Sequence, residues 1–274
     1  MGSKEAVVYF HVGLGKTGST HLQKKIFPRL TGVHYIHSSK YRRSPAIINR
    51  LSKPAFLVSR EFDQQFYDEV SWFARYFRSA YPIIVLRRQD KWIASQYRRF
   101  VKNGYRGSFS SFLDLDHDQG YFKIHELFFY RKINFLQDTF GHEPLVLFQE
   151  EMKNNPECFY NRILEYTRSS AAPGILSSGI THSSYSEKQL KFLRKFSSRL
   201  DMRKGNKATT PLYAVRLIGV KLLRYTVLYL GKRVPDRWVS DEPLISAKDL
   251  KRVQDYYAED WQQCLAYQKP GVNT

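Results

Sequence analysis

Cysteine is scarce: Cys158 and Cys264 are the only two among 274 residues. Two cannot build the disulfide framework of a small secreted fold, and both fall in helical patterns that read as core. A reducing compartment is expected. Acid is also short: 25 Asp and Glu stand against 44 Lys and Arg, a formal charge of +19. Such an excess does not set a fold, but it selects anionic partners. Zinc-ligand spacing and an aromatic RNA-binding motif are both missing, so the charge is not assigned to nucleic acid. No internal repeat or low-complexity tract occurs. The first six residues are polar and small, with no signal-peptide run, and Ala6 stands where a myristoylation pattern requires Ser or Thr. The expected location is cytoplasmic, with contact at the inner face of a membrane left open.

What is present is alternation. Strand-like apolar runs lie near 7–12, 33–37, 55–59, 82–86 and 145–149, with helical patterns between them. Strands separated by helices predict an α/β fold, a mostly parallel sheet with helices on both faces. Length fits one domain over 1–274, with a core of about 7–200 and a helical extension over about 201–274. Phe66, Val70, Phe73 and Phe77 make one helical stripe, and Ile124, Phe128, Arg131 and Phe135 another that a cation interrupts. Asn155-Pro156 reads as an N-cap and first helical position, and Ser186-Glu187-Lys188-Gln189 as a capping box. Ser246 is placed to cap a last helix carrying Leu250, Val253, Tyr257 and Leu265.

The chemistry concentrates after the first strand. Val7-Val8-Tyr9-Phe10-His11-Val12 breaks into Gly13-Leu14-Gly15-Lys16-Thr17-Gly18-Ser19-Thr20, and a helical pattern with Leu22 and Ile26 follows. Backbone N–H groups of such a loop point at one spot, and the helix dipole adds partial positive charge. Lys16 supplies a full charge, and Ser19 and Thr20 supply hydroxyl donors. The site is built for a phosphate or sulfate group. The ATP/GTP loop, G-x-x-x-x-G-K-[ST], does not fit in either register. Ending it at Gly15-Lys16-Thr17 puts its first glycine on Phe10, and starting it at Gly13 puts its lysine on Ser19.

Lysine ahead of Thr-Gly-Ser-Thr resembles the 5′-phosphosulfate loop of sulfotransferases, which take a sulfuryl group from 3′-phosphoadenosine-5′-phosphosulfate (PAPS). A second segment is similar to the same family. The run Tyr81–Leu86 ends in Arg87-Arg88, and Ser95 follows Arg87 by eight residues, the family's spacing for the pair that holds the 3′-phosphate. Arginine offers phosphate a planar fork of donors. A nucleotide kinase more often wants an acid at a strand end to hold Mg²⁺. Weaker likeness to bacterial carbohydrate sulfotransferases runs through Phe100–Gly104 and Ser108–Phe112. Leu145–Lys153 with Asn155-Pro156 resembles the family's late strand, with Gln149 where Tyr is common. The resemblance spans roughly residues 7–200.

The resemblance implies a P-loop-like sheet, PAPS as co-substrate, no metal, and a hydroxyl acceptor, most often a carbohydrate of a polysaccharide or a lipid-linked glycan. It places Gly15, Lys16, Thr17, Gly18, Ser19, Thr20, Arg87, Ser95 and Ser184 on the donor, with Lys16 also catalytic. It makes Glu61, just past Ala55–Ser59, the base that takes the acceptor proton. A plainer reading has Glu61 pair with a neighbouring arginine or cap the helix near Asp63. His11 and His21 flank the loop, while His117 and His125 are the substrate-side alternatives. Asp114-Leu115-Asp116-His117-Asp118 opens like a calcium loop, but Gln119 and His125 stand where that loop needs Gly and Glu, so it is assigned to the acceptor cleft. Two other classes stay open: a P-loop-like kinase, which requires Mg²⁺, and a non-catalytic protein that binds polyanions or membranes.

Residues 201–245 stand apart. Leu212 to Leu230 is long enough to span a bilayer, but Arg216, Lys221 and Arg224 would each cost about 2.5–3.5 kcal/mol at its centre. At helical spacing the three cations share one side. A packed helical insertion, a dimer contact and a helix lying on a membrane surface all fit.

Overall fold

The computed structural model describes residues 6–171, 185–197, 211–239 and 241–268, with backbone only for 211–217 and 236. Among them run seven strands: β1 Val7–His11, β2 Leu30–Thr31, β3 His34–Ile36, β4 Ala55–Ser59, β5 Tyr81–Leu86, β6 Leu145–Phe148 and β7 Ser170–Ala171. Five of them form one sheet in the order β3-β4-β1-β5-β6. Every neighbouring pair is parallel, with Phe10 opposite Val58 on one side and Pro82 on the other. β2 and β7 make a separate antiparallel pair. The five expected strands are all found in the sheet. The two-residue pair was not foreseen, because Leu30–Thr31 and Ser170–Ala171 are too short to carry a pattern.

Continuous apolar runs suit strands covered on both faces, and here successive side chains serve opposite layers. Tyr9, Leu57, Ile83, Val85 and Leu147 point one way, into a cluster with Leu22, Ile26, Phe27, Phe159 and Ile163. The helices on that face are Ser19–Ile26, whose last five residues are a π turn, and Pro156–Thr167. Phe10 points the other way. Its ring stacks on Phe73 at 3.8 Å and lies 6.1 Å from Phe140, so Phe66–Ala74 and Phe129–Phe140 cover the second face. Phe10, Phe56, Phe66 and Phe73 are fully buried. Each such side chain contributes about 1.5–3 kcal/mol.

This sheet belongs to a compact unit made of the described residues of Met1–Arg88, His125–Ile180 and Tyr257–Thr274. The described residues of Gln89–Ile124 and Thr181–Tyr256 form a second compact unit. Its core is aromatic: Trp92 meets Phe122 edge-on at 5.5 Å, and Phe112 stacks on Tyr121 at 5.7 Å. Tyr97 donates its hydroxyl to the Gly107 carbonyl at 2.8 Å and accepts from Arg194 at 3.1 Å.

Capping follows the sequence closely. Asn155 accepts the Cys158 N–H at 3.1 Å with Pro156 behind it. The Ser186 N–H donates to the Gln189 side chain at 2.9 Å, and the Gln189 N–H donates back to the Ser186 hydroxyl at 3.3 Å. Ser246 accepts the Asp249 N–H at 3.0 Å. Two expectations need correction. The stripe through Ile124, Phe128, Arg131 and Phe135 does not form, because a 3-10 turn at Ile124–Leu127 and an extended Phe128 reset the phase. The buried line is Phe129, Ile133, Leu136 and Phe140, with Lys132 beside it. The last helix is two, Ala247–Tyr256 and Ala258–Leu265. The break lets Asp260 turn back and accept the N–H groups of Phe129 and Tyr130, a carboxylate on a helix N-terminus. Cys264 is buried as expected, whereas Cys158 is half-buried with its thiol against Glu151.

One ion pair inside the first unit is nearly dry. Arg162 donates to Glu151 at 3.0 Å and to the Val146 carbonyl at 2.8 Å, with side chains 11% and 8% exposed. Removing one partner of such a pair strands the other charge. Arg162→Ala is expected to lower stability by about 3–5 kcal/mol, and Arg162→Met with Glu151→Gln to recover much of it. Urea titration of the three proteins checks this.

Candidate functional site

The topology singles out one edge of the sheet. From β1 the chain leads to β3 on one side, and from β5 it leads to β6 on the other. Strand order therefore reverses between β1 and β5, and ligands of open α/β sheets bind outside the carboxyl ends of strands at such a point. The glycine-rich loop leaves β1 there. Its start is an extension of the sheet: the Val12 and Leu14 N–H groups donate to Ile83 and Val85 at 3.0 and 2.9 Å, and Val85 N–H returns to Gly13 at 2.6 Å. On the other side Arg60 and Phe62 donate to His11 and Val12 at 2.9 and 3.1 Å. The ends of β4 and β5 thus grip the loop from both flanks.

Inside this grip the loop turns on itself. Gly13 has φ +102°, and a Cβ on it would lie 3.1 Å from the Glu61 Cα. Gly18 has φ +97°, and its Cβ would lie 2.2 Å from the Met152 methyl. Thr17 and Ser19 are buried, and their hydroxyls donate to the Leu14 carbonyl at 2.6 and 2.8 Å. They hold the turn from within. Lys16 and Thr20 are the exposed members. Lys16 has φ +67°, a left-handed conformation that costs a non-glycine residue about 1–2 kcal/mol. Such strain persists where surrounding structure imposes it and clusters at functional sites.

Beneath the loop lies a buried polar layer. His11 Nδ1 is 2.8 Å from the Ser59 hydroxyl, which also accepts from Gln23 at 3.1 Å. Full burial pushes the His11 pKa down to about 3, so the ring is neutral. His21 is buried too, its Nε2 2.9 Å from the Tyr160 hydroxyl. Both histidines support the loop and neither is exposed.

Glu61 sits half-buried two residues past β4, and Arg87 half-buried immediately past β5. The structure therefore gathers Gly15 to Thr20, Glu61 and Arg87 at the carboxyl ends of the three central strands. It adds two residues that the sequence did not single out. Asp63 Oδ1 accepts the Gly15 N–H at 3.1 Å, and a Cβ on Gly15 would lie 2.8 Å from that oxygen. Lys132 is 2% exposed, its ammonium 4.7 and 4.8 Å from the rings of Phe66 and Tyr67. Burial pulls its pKa down to about 8, against the opposing pull of Glu126, Asp63 and Asp260. The sequence signal was a lysine between Phe129 and Ile133 on an otherwise apolar face.

Other candidates sit on later elements of the chain. Ser95 is half-buried on the helix Gln89–Lys102, and His117 is exposed 3.7 Å from Asp114, both in the second unit. The acids around His117 are engaged locally. Asp114 accepts the N–H groups of Asp116 and His117 at 3.0 and 3.2 Å, which holds its carboxyl below the usual range. Asp116 pairs with Arg252, which lowers its pKa as well. His125 is exposed on the turn Ile124–Leu127 in the first unit. Ser184 lies outside the described residues. Among the described residues, no three His, Cys, Asp or Glu side chains converge as metal ligands.

Lys132 makes a pH test. Its pKa is lower in the folded chain than in the unfolded one, so between pH 8 and 10.5 the unfolded chain binds more protons. The penalty for burying its charge is present below pH 8 and is relieved as pH rises through that window. The stability of Lys132→Met relative to wild type is therefore expected to fall from pH 8 to 10.5, by about 3 kcal/mol at most. Denaturant titrations of both proteins across the window read this slope, whatever offset the substitution itself introduces.

No protein-family model matches the chain, and no curated protein matches it in sequence. Solved structures do match. A crystal structure of the mouse sulfotransferase SULT7A1 complexed with PAP is similar at TM-score 0.50 and 14% identity, covering 95% of this chain and 85% of that one. A sulfotransferase from Alicyclobacillus acidocaldarius gives TM-score 0.49 and 12% identity, covering 84% of this chain and 97% of that one. At such identity a likeness speaks to architecture: the chain has an α/β fold like that of the mouse sulfotransferase.

Proposed function

We propose that this protein is a sulfotransferase that moves the sulfuryl group of PAPS to a hydroxyl, with a carbohydrate as the acceptor. The observation that carries the reading is the loop at the β1/β5 switch point, with a left-handed, exposed Lys16 between glycines and with Glu61 and Arg87 on the two flanking strand ends. An exposed ammonium beside backbone N–H groups suits an anion. The mouse structure of like fold holds PAP, the bisphosphate that such a transfer leaves behind.

In this reading the acceptor oxygen forms a bond to sulfur while the bond from sulfur to the 5′-phosphate oxygen breaks. The electron pair leaves on that oxygen, where negative charge grows, and Lys16 is placed to stabilise it. Glu61 takes the proton of the acceptor hydroxyl. Arg87 holds the 3′-phosphate with its fork of donors. Thr17 and Ser19 act indirectly, by closing the turn around the Leu14 carbonyl.

A kinase reading has one observation of its own. Glu61 and Asp63 both follow the strand next to β1, where an NTPase holds Mg²⁺ with an acid. Calorimetry separates the two. Adenosine 3′,5′-bisphosphate is expected to bind without Mg²⁺ and far more tightly than ADP, whereas equal binding, or a Mg²⁺ requirement, favours the kinase. Arg87→Ala is expected to lose about 1.5–3 kcal/mol of bisphosphate affinity, roughly ten- to a hundredfold.

The base is tested by turnover. Glu61→Gln is expected to keep bisphosphate affinity while transfer of labelled sulfate from PAPS to a carbohydrate panel falls by about 10²–10⁴. Near-normal turnover would return the role to His117 or His125.

A further inference from the structure

The helix Pro211–Gly231 is about 31 Å long, and the side chains described on it, from 218 onward, are buried along one side. Val227 and Leu228 are buried, and Gln189 of the helix Glu187–Ser197 donates to the Leu228 carbonyl at 2.9 Å. The sequence put Arg216, Lys221 and Arg224 on one side of this helix without deciding whether that side packs or faces out. Arg224 is 8% exposed and donates to Asn103 at 3.4 Å, so its guanidinium points inward. The side chain of Arg216 lies outside the described residues. What faces out is apolar. Ile218, Leu222, Tyr225 and Tyr229 are 59%, 62%, 45% and 58% exposed, at the i, i+4, i+7, i+11 spacing of a single stripe. Leu230 and Trp238 are exposed as well.

A contiguous apolar stripe of this kind marks an interaction surface. Its occupant is indicated by charge. Lys221, Lys232 and Arg233 are exposed beside the stripe, and the Arg233 guanidinium lies 5.3 Å from the Tyr229 ring. No Asp or Glu occurs from residue 202 to 235. A second copy of this face would bring cations against cations. A soluble acidic glycan would pair with the cations but leave the stripe in water. A sheet of anionic lipid headgroups over hydrocarbon satisfies both, and Tyr and Trp favour that boundary. Among the described residues no helix is long and apolar enough to cross a membrane, so the contact is parallel to the surface.

We propose that the outer face of Pro211–Gly231 docks this protein on an anionic lipid bilayer, with Ile218, Leu222, Tyr225 and Tyr229 set into the headgroup boundary and Lys221, Lys232 and Arg233 on the headgroups. The docking stands independently of the donor reading. It also gives the cations around an apolar helix a role: each cation near an anionic surface strengthens binding about fivefold.

The test is co-sedimentation of the full chain with vesicles of phosphatidylcholine, with and without phosphatidylserine. Binding is expected with phosphatidylserine, weaker as salt is raised and much weaker on phosphatidylcholine alone. Leu222→Glu with Tyr229→Glu is expected to weaken it about tenfold or more, with the circular dichroism spectrum and the thermal unfolding midpoint unchanged. Brominated lipid is expected to quench tryptophan fluorescence of the otherwise unaltered chain and to lose that effect in Trp238→Phe, an arm that survives if the double variant fails to fold. Wild-type protein that ignores the vesicles, or a folded double variant that sediments equally, overturns the proposal. A wild-type dimer that the double variant converts to monomer, without vesicle binding, assigns the stripe to a second copy instead.

Discussion

Once β1 runs into its loop, the carbonyl of Leu14 is sealed away from water and must be satisfied within the protein. Two hydroxyls do this, Thr17 from one turn and Ser19 from the next. Everything at the site follows from that arrangement. Drawing both side chains inward folds the chain tightly between residues 14 and 19 and leaves Lys16 at the outer tip. It also puts the start of the next helix directly over the sheet edge. Thr17 and Ser19 thus brace the loop from within, while Lys16 and Thr20 are its exposed members. The β4 and β5 ends complete the brace, since their ladders to Gly13 and Val12 stop the loop from hinging at its root.

Electrostatics at this edge is balanced rather than uniformly positive. Asp63 holds the Gly15 N–H, and Lys132 beneath it sits between two aromatic rings within reach of three carboxylates. A buried ammonium is unfavourable unless such partners surround it. His11, at the end of β1, contributes shape without charge, since burial keeps it neutral at any physiological pH.

The sheet and the loop were legible in the residues because both depend on local pattern. A strand buried on both faces must be an unbroken apolar run, so 7–12, 55–59, 82–86 and 145–149 announce themselves, and a glycine-rich turn between strand and helix has few other uses. Caps were legible for the same reason: Asn155, Ser186 and Ser246 act within three residues. What escaped depends on partners distant in sequence. The phase of Phe129–Phe140 was lost because a short turn precedes it, and the burial of Lys132 is set by rings more than sixty residues away. Arg224 was left undecided for a physical reason. Its aliphatic stem packs as well as a leucine, and a single amide at Asn103 accepts its head, so helical position alone cannot tell whether it faces water. Asp63 was named only as a helix neighbour, although its carboxylate reaches the loop.

The contact between Gly18 and Met152 ties two distant stretches of the chain into one unit of evolutionary change. Any side chain at position 18 would enter the space of the Met152 methyl, besides demanding a left-handed backbone. A shorter residue at 152 would free that space but leave a void under the loop. The left-handed backbone restricts position 18 whatever stands at 152, and the Met152 methyl, at the end of a flexible chain, adds a second constraint that its own rotation can ease. The loop's shape is inherited together with the helix Gln149–Asn154 that follows the last strand of the sheet, and a sequence comparison that tracks the glycine motif alone would miss this second constraint.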